Sequence, residues 1–223
     1  MSNKPVKILS LEYLTQNVIK VRVERPETLH YNPGQAVNIS INEPEWCERK
    51  NAFSLTSIPE DNYLEFVIKI IENSSQFLGK LITLKPGDEL IIHEAFAGLP
   101  YKGEGLFIAG GVGVAPFISM FKHLKQNNNL ANNKLLFANR TSSDIFLFDY
   151  FKEILGDNFI NILSEEKHED FHHGLLSADF LKEFTDHTTQ YYYICGSLAM
   201  VNYVSDQLIS LGVEEKFILK EGY

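Results

Sequence analysis

The sequence predicts a two-domain protein in which a six-stranded antiparallel β-barrel precedes a Rossmann-like α/β domain with a parallel sheet. Three observations predict this class: short β-rich segments in the first hundred residues, alternating apolar strands and helices beyond them, and a glycine-rich turn joining one such strand to its helix. The pattern changes between Lys102 and Gly105, which predicts domains over residues 1–102 and 103–223. The 223 residues, of which 44% are hydrophobic, suffice for two such cores.

The predicted barrel strands are rich in β-branched and aromatic residues, and turn sequences such as NPGQ, IPEDN and KPGD separate them. Six such strands favour a small antiparallel barrel. One helix interrupts them, with Ser74 or Ser75 as its N-cap and leucines at threefold spacing before Lys85-Pro86-Gly87 ends it. The strand segments are VKILSLEYLT, NVIKVRVERP, QAVNISI, NAFSLTS, YLEFVIKII and DELIIHEAF.

Beyond residue 105, strands that are apolar throughout alternate with helices, a pattern typical of a parallel sheet covered on both faces. Four strands each lead into a helical segment, and a fifth strand lies in FILKEGY. The four pairs are LFIAG with APFISMFKHLKQ, KLLFANR with DIFLFDYFKEIL, FINILS with SADFLKEFT, and YYYICG with LAMVNYVSDQLISLG.

Charge and metal-ligand content exclude several classes of protein. A formal net charge of −9 argues against nucleic acid or a membrane surface as a partner, because both attract clustered Lys and Arg. Cys47 and Cys195 are too few for an iron–sulfur cluster within this chain, although a partner chain could carry one. His168, His172 and His173 form a cluster that an acidic loop explains, so no metal site is predicted. The N-terminal residues lack a signal-peptide pattern, and we expect a cytoplasmic protein.

The segment GGVGVAP, residues 110–116, lies between the strand LFIA and a helix. Gly110, Gly111 and Gly113 would let the backbone approach a phosphate, which the free N–H groups at the helix start favour. Pro116 suits the first helical turn, where its missing N–H costs nothing. A tight turn without a ligand is the alternative interpretation.

The segment CGSLAM, residues 195–200, also stands where an apolar strand turns into a helix. Ligands bind outside the carboxyl ends of parallel strands, so Cys195 and Gly196 are expected to face the same crevice as Gly111 and Gly113. The alternative is that Cys195 is only a small buried hydrophobe.

In the barrel half, RKNAFSLTS at residues 49–57 supplies charge, an aromatic ring and a hydroxyl. Phe53 could cover a planar ring, Ser54 could hydrogen-bond a ring nitrogen, and Arg49 or Lys50 could neutralise a diphosphate. Taken alone, an ordinary edge strand would be the simpler interpretation.

In order and combination, these segments resemble the ferredoxin-NADP reductase family of flavoproteins over essentially the whole chain, and NPGQAV at residues 32–37 is similar to the family's barrel turn. The resemblance implies an FAD-dependent oxidoreductase that takes a hydride from NADH or NADPH. It also implies a protein electron acceptor such as ferredoxin, flavodoxin or an oxygenase component. Three features depart from the family: Asn51 replaces its flavin-motif Arg, Ser197 replaces a Pro, and no glycine begins the barrel helix. They leave FMN, or a loosely held FAD, as alternatives.

Residue roles follow from the resemblance. Ser54, Cys195 and Glu221 are the predicted catalytic residues, and Tyr223 would lie against the flavin on its nicotinamide side. The predicted cofactor-binding residues are Arg49, Lys50, Asn51, Phe53, Ser54, Lys69, Ser74, Ser75, Gly110, Gly111, Gly113, Pro116, Arg140, Cys195, Gly196 and Tyr223.

The choice between NADH and NADPH depends on NRTSSD, residues 139–144, and SEEKHED, residues 164–170. Arg140 and Ser142 could accept a 2′-phosphate, whereas Glu165 and Glu166 would repel it, which favours NADH.

Two other functions stay open. A reductase of free flavin would use FAD or FMN as a substrate, and the missing Arg and Gly favour it slightly. A subunit that keeps the fold but only binds nucleotides or a partner would also explain the departures, although the retained GGVGVAP, Ser54, Cys195 and EGY favour an enzyme.

Overall fold

A computed structural model describes residues 5–71, 75–185 and 190–223 of the chain. Their strands form one antiparallel and one parallel six-stranded sheet, so the predicted fold class is confirmed. No helix within these ranges is long and apolar enough to cross a membrane. The chain forms two compact units, which are Met1–Pro100 with Ala115–His123, and Tyr101–Val114 with Leu124–Tyr223.

The first unit is built on the antiparallel sheet. Alternate side chains of each strand point to one face, and those of the second strand, Ile19, Val21 and Val23, are at most 1% exposed. The strands are β1 (Pro5–Thr15), β2 (Val18–Glu24), β3 (Gln35–Ile41), β4 (Asn51–Ser54), β5 (Tyr63–Lys69) and β6 (Glu89–Gly98). Their order in the sheet is β4-β3-β6-β1-β2-β5.

A short helix, α1 (Gln76–Leu81), follows β5. Ser75 occupies its N-cap position, but its side chain makes no capping hydrogen bond, and Ser74 lies outside the described residues. Leu81 is buried on the helix and Leu84 just beyond it, so the predicted leucine spacing marks the face that meets the core.

The second unit is built on the parallel sheet, in the order β10-β9-β8-β7-β11-β12, and the first helix given below is divided, with its residues Ala115–His123 in the first unit. The strands are β7 (Gly105–Gly110), β8 (Lys134–Asn139), β9 (Phe159–Leu163), β10 (His172–His173), β11 (Tyr191–Gly196) and β12 (Ile218–Gly222). The helices are α2 (Ala115–Gln126), α3 (Phe148–Leu155), α4 (Ala178–Leu181) and α5 (Leu198–Ser210).

Two local predictions for this unit are wrong. The helix expected from Asp144 begins only at Phe148, because Thr141 and Asp144 close a separate 3-10 turn by a reciprocal capping box. Leu147, in the left-handed region with φ 55°, then separates that turn from α3. The histidine segment, expected as a loop, adds β10, whose two residues pair with the carboxyl end of β9.

A buried carboxylate connects three segments of the first unit. Glu65 on β5 is 4% exposed, and its oxygens accept hydrogen bonds from Arg22 Nε at 2.8 Å, Lys122 Nζ at 2.8 Å and Thr56 Oγ1 at 3.0 Å. Burial by itself would raise the pKa of Glu65, but Lys122 and the other donors outweigh it and hold the pKa below its usual value. Glu65 therefore stays ionised and fixes α2 through Lys122. The Gly34 N–H, which donates to Ser119 Oγ at 3.0 Å, is a second tie to that helix.

Replacing Glu65 by Gln should lower the free energy of unfolding by about 1.5–3 kcal/mol at neutral pH, because the hydrogen bonds lose their charge. Glu12→Gln is the control: Glu12 pairs with Lys20 at 3.0 Å, but its side chain is 51% exposed, so little change is expected. Urea unfolding measures both.

The pH dependence has a defined sign. A lowered folded-state pKa stabilises the protein above the unfolded glutamate pKa of ~4.3, and this stabilisation disappears as pH falls through the folded value. The difference in free energy of unfolding between wild type and Glu65→Gln should therefore become smaller at acidic pH. A difference in this free energy that stays constant or grows would contradict the assigned ion pairs.

Candidate functional site

The chain reverses its direction across the parallel sheet between β7 and β11. From central β7 it proceeds to β8, β9 and β10 on one side, then returns to β11 and β12 on the other. Ligands of open α/β sheets bind outside the carboxyl ends of the strands at such a switch point. The turns after Gly110 and Gly196 stand at these ends, as predicted from the sequence.

The glycines of these turns allow the two backbones to touch. A Cβ added to Gly113 would lie 2.2 Å from the Cys195 carbonyl oxygen, and one added to Gly110 would lie 2.2 Å from Met200 Sδ. A Cβ added to Gly196 would lie 2.9 Å from the same Met200 Sδ. Gly111 differs, because the space around its Cβ position is open while its φ of +53° favours glycine. Packing against backbone atoms thus explains Gly113, and backbone conformation explains Gly111, whereas at Gly110 a Cβ would meet only the flexible end of the Met200 side chain.

The predicted catalytic residues Cys195 and Glu221 are neighbours across β11 and β12. Burial, reinforced by the nearby Glu221, raises the pKa of Cys195 to about 12, so the thiol is neutral. Burial also raises the pKa of Glu221, whose Oε2 is buried and has no hydrogen-bond partner among the described residues. The Tyr223 hydroxyl donates to the Gly110 carbonyl at 3.3 Å, which brings all three residues to the turn after β7.

Ser197, the departure from the family's Pro, has a local structural role. It is the N-cap of α5, and its hydroxyl accepts a hydrogen bond from the Met200 N–H at 3.3 Å. The substitution therefore preserves the start of the helix that holds Met200 against the glycines.

The segments following β8 and β9 meet through a carboxylate that the sequence did not pair. Glu166 accepts hydrogen bonds from the Ser142 N–H at 2.7 Å and from Ser142 Oγ at 3.0 Å, and these bonds lower the pKa of Glu166. Arg140 is exposed, with its Nε 3.8 Å from Asp144. At the end of β8, buried Asn139 has an Nδ2 without a hydrogen-bond partner among the described residues. Its place in the sequence, as the polar last residue of an otherwise apolar strand, is the signal by which Asn139 could have been found.

In the first unit, predicted flavin-binding residues meet the beginning of α1. Arg49 donates to Gln76 Oε1 at 2.8 Å and stacks over Trp46, with Cζ 4.7 Å from the ring centroid. Phe53 stacks with Phe77, their centroids 6.0 Å apart.

The other predicted flavin-site residues are less engaged. Asn51 bonds the Arg49 carbonyl at 3.3 Å, Lys50 is exposed, and Ser54 and Lys69 are partly buried at the ends of β4 and β5. The contact between Arg49 and Gln76 was not foreseen, because 27 residues separate them.

The histidine cluster is packed on aromatic rings. His168 stacks with Phe171 at 4.3 Å, and His172 meets the Phe180 ring edge-on at 5.0 Å. Among residues 5–71, 75–185 and 190–223, no group of three or more His, Cys, Asp or Glu side chains could hold a metal ion.

Comparison with known families identifies both halves of the chain. Residues 3–134 match the family described as FAD-binding domain, and residues 107–206 match the oxidoreductase NAD-binding domain. The orphaned polar atoms of Asn139 and Glu221, at carboxyl ends of parallel strands, fit a polar ligand such as a nicotinamide nucleotide. Phe53 and Arg49 supply an aromatic surface and a positive charge that fit a flavin.

Similar proteins include methane monooxygenase component C of Methylosinus trichosporium, 26% identical over 69% of this chain and 47% of the relative. The reductase component of propane 2-monooxygenase from Rhodococcus jostii (strain RHA1) is 27% identical over 71% of this chain and 45% of the relative. The chain thus spans about half the length of these curated relatives.

Two solved structures share the fold over the whole chain. The flavohem-like FAD/NAD binding domain of nitric oxide dioxygenase from Vibrio cholerae O1 biovar El Tor has a TM-score of 0.88 at 16% identity, covering 100% of this chain and 99% of that one. A ferredoxin NADP+ reductase from Neisseria gonorrhoeae, with bound FAD and NADP, has a TM-score of 0.85 at 17% identity and the same coverage.

Gly113→Ala should lower stability by roughly 1–3 kcal/mol, because the new methyl meets fixed backbone atoms of Cys195 and Gly196. Gly79→Ala is the matched control in α1, where an added Cβ has nothing within 4 Å. Alanine is favoured over glycine in a helix, so the control should gain about 0.5–1 kcal/mol. Thermal unfolding reports both changes, and an unaltered Tm for Gly113→Ala would refute the close approach.

Proposed function

Because the chain belongs to the ferredoxin-NADP reductase family, we propose that it oxidises a nicotinamide nucleotide through FAD and passes the electrons to a separate protein acceptor. The observation that carries the proposal is the meeting of Gly113, Cys195, Glu221 and Tyr223 at the carboxyl edge of the parallel sheet. FAD, when bound, supplies the hydride and electron chemistry. The relatives named as monooxygenase components support a protein acceptor, and two free cysteines are compatible with a reducing cytoplasm.

We assign the nucleotide to residues 103–223. The turn of Gly110, Gly111 and Gly113 would present backbone N–H groups to the diphosphate, followed by Pro116 in the first turn of α2. Cys195 and Gly196 would border the nicotinamide, with Tyr223 against the ring that accepts the hydride. This arrangement holds the reacting groups together, which is the protein's main contribution to hydride transfer.

We assign the flavin to residues 1–102. Phe53 and Ser54 would face the ring system, and Arg49, Lys50 and Asn51 would approach the diphosphate, supported by the contact of Arg49 with Gln76. Lys69 and Ser75 are further candidates from the neighbouring strand and helix. Ser74 keeps its proposed role by resemblance alone.

We propose that Glu221 presents a polar atom to the reacting centre. Burial raises the pKa of its carboxyl above the ordinary value, and its unpartnered Oε2 is available to a polar ligand group. The neutral thiol of Cys195 lies beside it as an uncharged, polarisable wall.

A free-flavin reductase is the second candidate. Asn51 stands at the family's Arg position and no glycine begins the barrel helix, and these departures favour weaker flavin binding. Purified protein with near-unit flavin content would exclude this alternative.

Anaerobic stopped-flow reduction of the flavin by NADH tests the proposed function. Ser54→Ala and Glu221→Ala should each slow reduction by roughly 5- to 150-fold, the cost of one hydrogen bond made in the transition state, while flavin content is retained. Glu221→Gln, which also donates a hydrogen bond, should retain more of the rate than Glu221→Ala. Exposed Glu215→Gln is the control and should react like wild type.

Two outcomes would contradict the proposal. Failure of the chain to bind FAD or FMN at tens of micromolar, on the affinity scale where such sites are occupied, would refute a flavin enzyme. Wild-type reduction rates in both Ser54→Ala and Glu221→Ala would refute the residue roles while leaving the flavin site intact.

We further propose a preference for NADH, set by Glu166. Its carboxylate already occupies the Ser142 donors and would repel a 2′-phosphate. Glu166→Gln should raise kcat/KM for NADPH relative to NADH by roughly fivefold, since one charge about 4 Å away in water changes the interaction by ~1 kcal/mol. Glu165→Gln removes the same charge from the neighbouring residue and should have a smaller effect. Equal effects of both variants would show that the preference for NADH depends on net charge and not on the position of Glu166.

A further inference from the structure

We propose a second ligand site, a cavity of about 570 Å³ at the edge of the parallel sheet, that binds a planar aromatic amine or amidine. Its volume lies within the range of small-molecule sites, roughly 300–1,000 Å³. Residues of β9, α3 and the segment leading into β10 line it. All of them belong to the second unit.

The site lies where β9 has an uncovered edge. β10 pairs only with Ile162 and Leu163, so the β9 residues Phe159, Ile160 and Asn161 have no strand on that side within the described chain. These three residues line the cavity. Phe159, Ile160 and Asn161 lie along β9 and not at its carboxyl end, which distinguishes this part of the cavity from the turns after β7 and β11.

Three aromatic rings form the apolar wall. The Phe148 ring centroid lies 5.6 Å from that of Phe159 and 5.8 Å from that of Phe171. His168 in turn stacks on Phe171, with 4.3 Å between their ring centroids. Phe159 is 6% exposed and fixed in the core, whereas Phe148 and Phe171 are only partly buried. Such a wall favours a flat aromatic group, which stacks on exposed ring faces.

Asn161 adds a polar side chain to the lining of the cavity. The residue is only 4% exposed, and its Oδ1 is buried without a hydrogen-bond partner among the described residues. Asn161 is one of the residues that line the cavity, and a ligand N–H that reached Oδ1 would satisfy this acceptor. We therefore expect the ligand to carry a hydrogen-bond donor next to its ring.

The charged residues that line the cavity favour a ligand of positive charge. Asp170 and Asp157 line the opening with Lys152, whose Nζ is 3.3 Å from Asp157 Oδ1 and largely offsets it. Asp170 remains, its side chain 83% exposed, with His168 Nδ1 3.9 Å away. This balance favours a cationic donor and disfavours carboxylates and phosphates.

Benzamidine is the probe, because it joins a flat ring to a cationic group that has only donors. In amide NMR of the 15N-labelled chain, benzamidine should shift the signals of residues 159–161 and 170–172, with a Kd of roughly 1 mM, as expected for a ligand of this size. Benzoate, of the same shape but with acceptors and a negative charge, should bind at least about tenfold more weakly.

Two variants test the contacts. Asn161→Leu should weaken benzamidine binding by about fivefold or more, and Asp170→Asn by about twofold, because that carboxylate is exposed. Asp206→Asn, the same change on the outside of α5, is the control and should leave binding unchanged. If Asn161→Leu fails to fold, Asp170→Asn and the comparison with benzoate still test whether the cavity binds a cationic aromatic ligand.

The proposal is overturned if benzamidine shifts no signal of residues 159–161 or 170–172 at millimolar concentration. It is equally overturned if benzoate binds as well, or if both variants retain wild-type affinity. Reduction of the flavin by NADH should be unchanged in Asn161→Leu, which separates this site from the proposed enzyme function.

Discussion

The second unit depends on the approach of two strand-to-helix turns until their backbones touch. Only glycine at position 113 allows the turn after β7 to lie on the carbonyl of Cys195. The same approach buries the Cys195 thiol and brings Met200 against Gly110 and Gly196. The Tyr223 N–H then bonds the Gly196 carbonyl, which anchors the end of β12 beside both turns. The chemistry assigned to this edge is thus a consequence of backbone packing.

Both sheets could be predicted from the sequence, because the relevant signals are local. Period-two patterns separated by Gly, Pro, Asn and Asp specify antiparallel strands, and runs of apolar residues followed by helices specify a parallel sheet. The start of α3 could not be predicted, since Asp144 bonds the Thr141 N–H and diverts the chain into a 3-10 turn. The two residues of β10 were missed because their pairing with β9 is non-local and leaves almost no pattern in so short a strand.

The candidate site was less predictable than the fold. The sequence located the turns and the residues Cys195 and Glu221, because strand ends mark the ligand-facing edge of a parallel sheet. It attributed Gly113 to phosphate binding, whereas close packing against the Cys195 backbone already requires glycine there. Contacts between distant residues, such as Ser142 with Glu166, depend on side-chain directions that spacing alone does not specify.

The tie between Glu65 and Lys122 has a consequence for how the protein is made. The first unit is discontinuous: it needs residues 115–123, which the ribosome delivers after more than a hundred others. Arg22 is already present when Glu65 is made, but at synthesis rates of about 5–20 residues per second Lys122, the second cation, follows several seconds later. Until Lys122 emerges, the nascent sheet contains a carboxylate whose burial is not fully compensated, and completion of the unit must await α2. The order of the chain thus couples maturation of the antiparallel sheet to the synthesis of the helix that follows the glycine-rich turn.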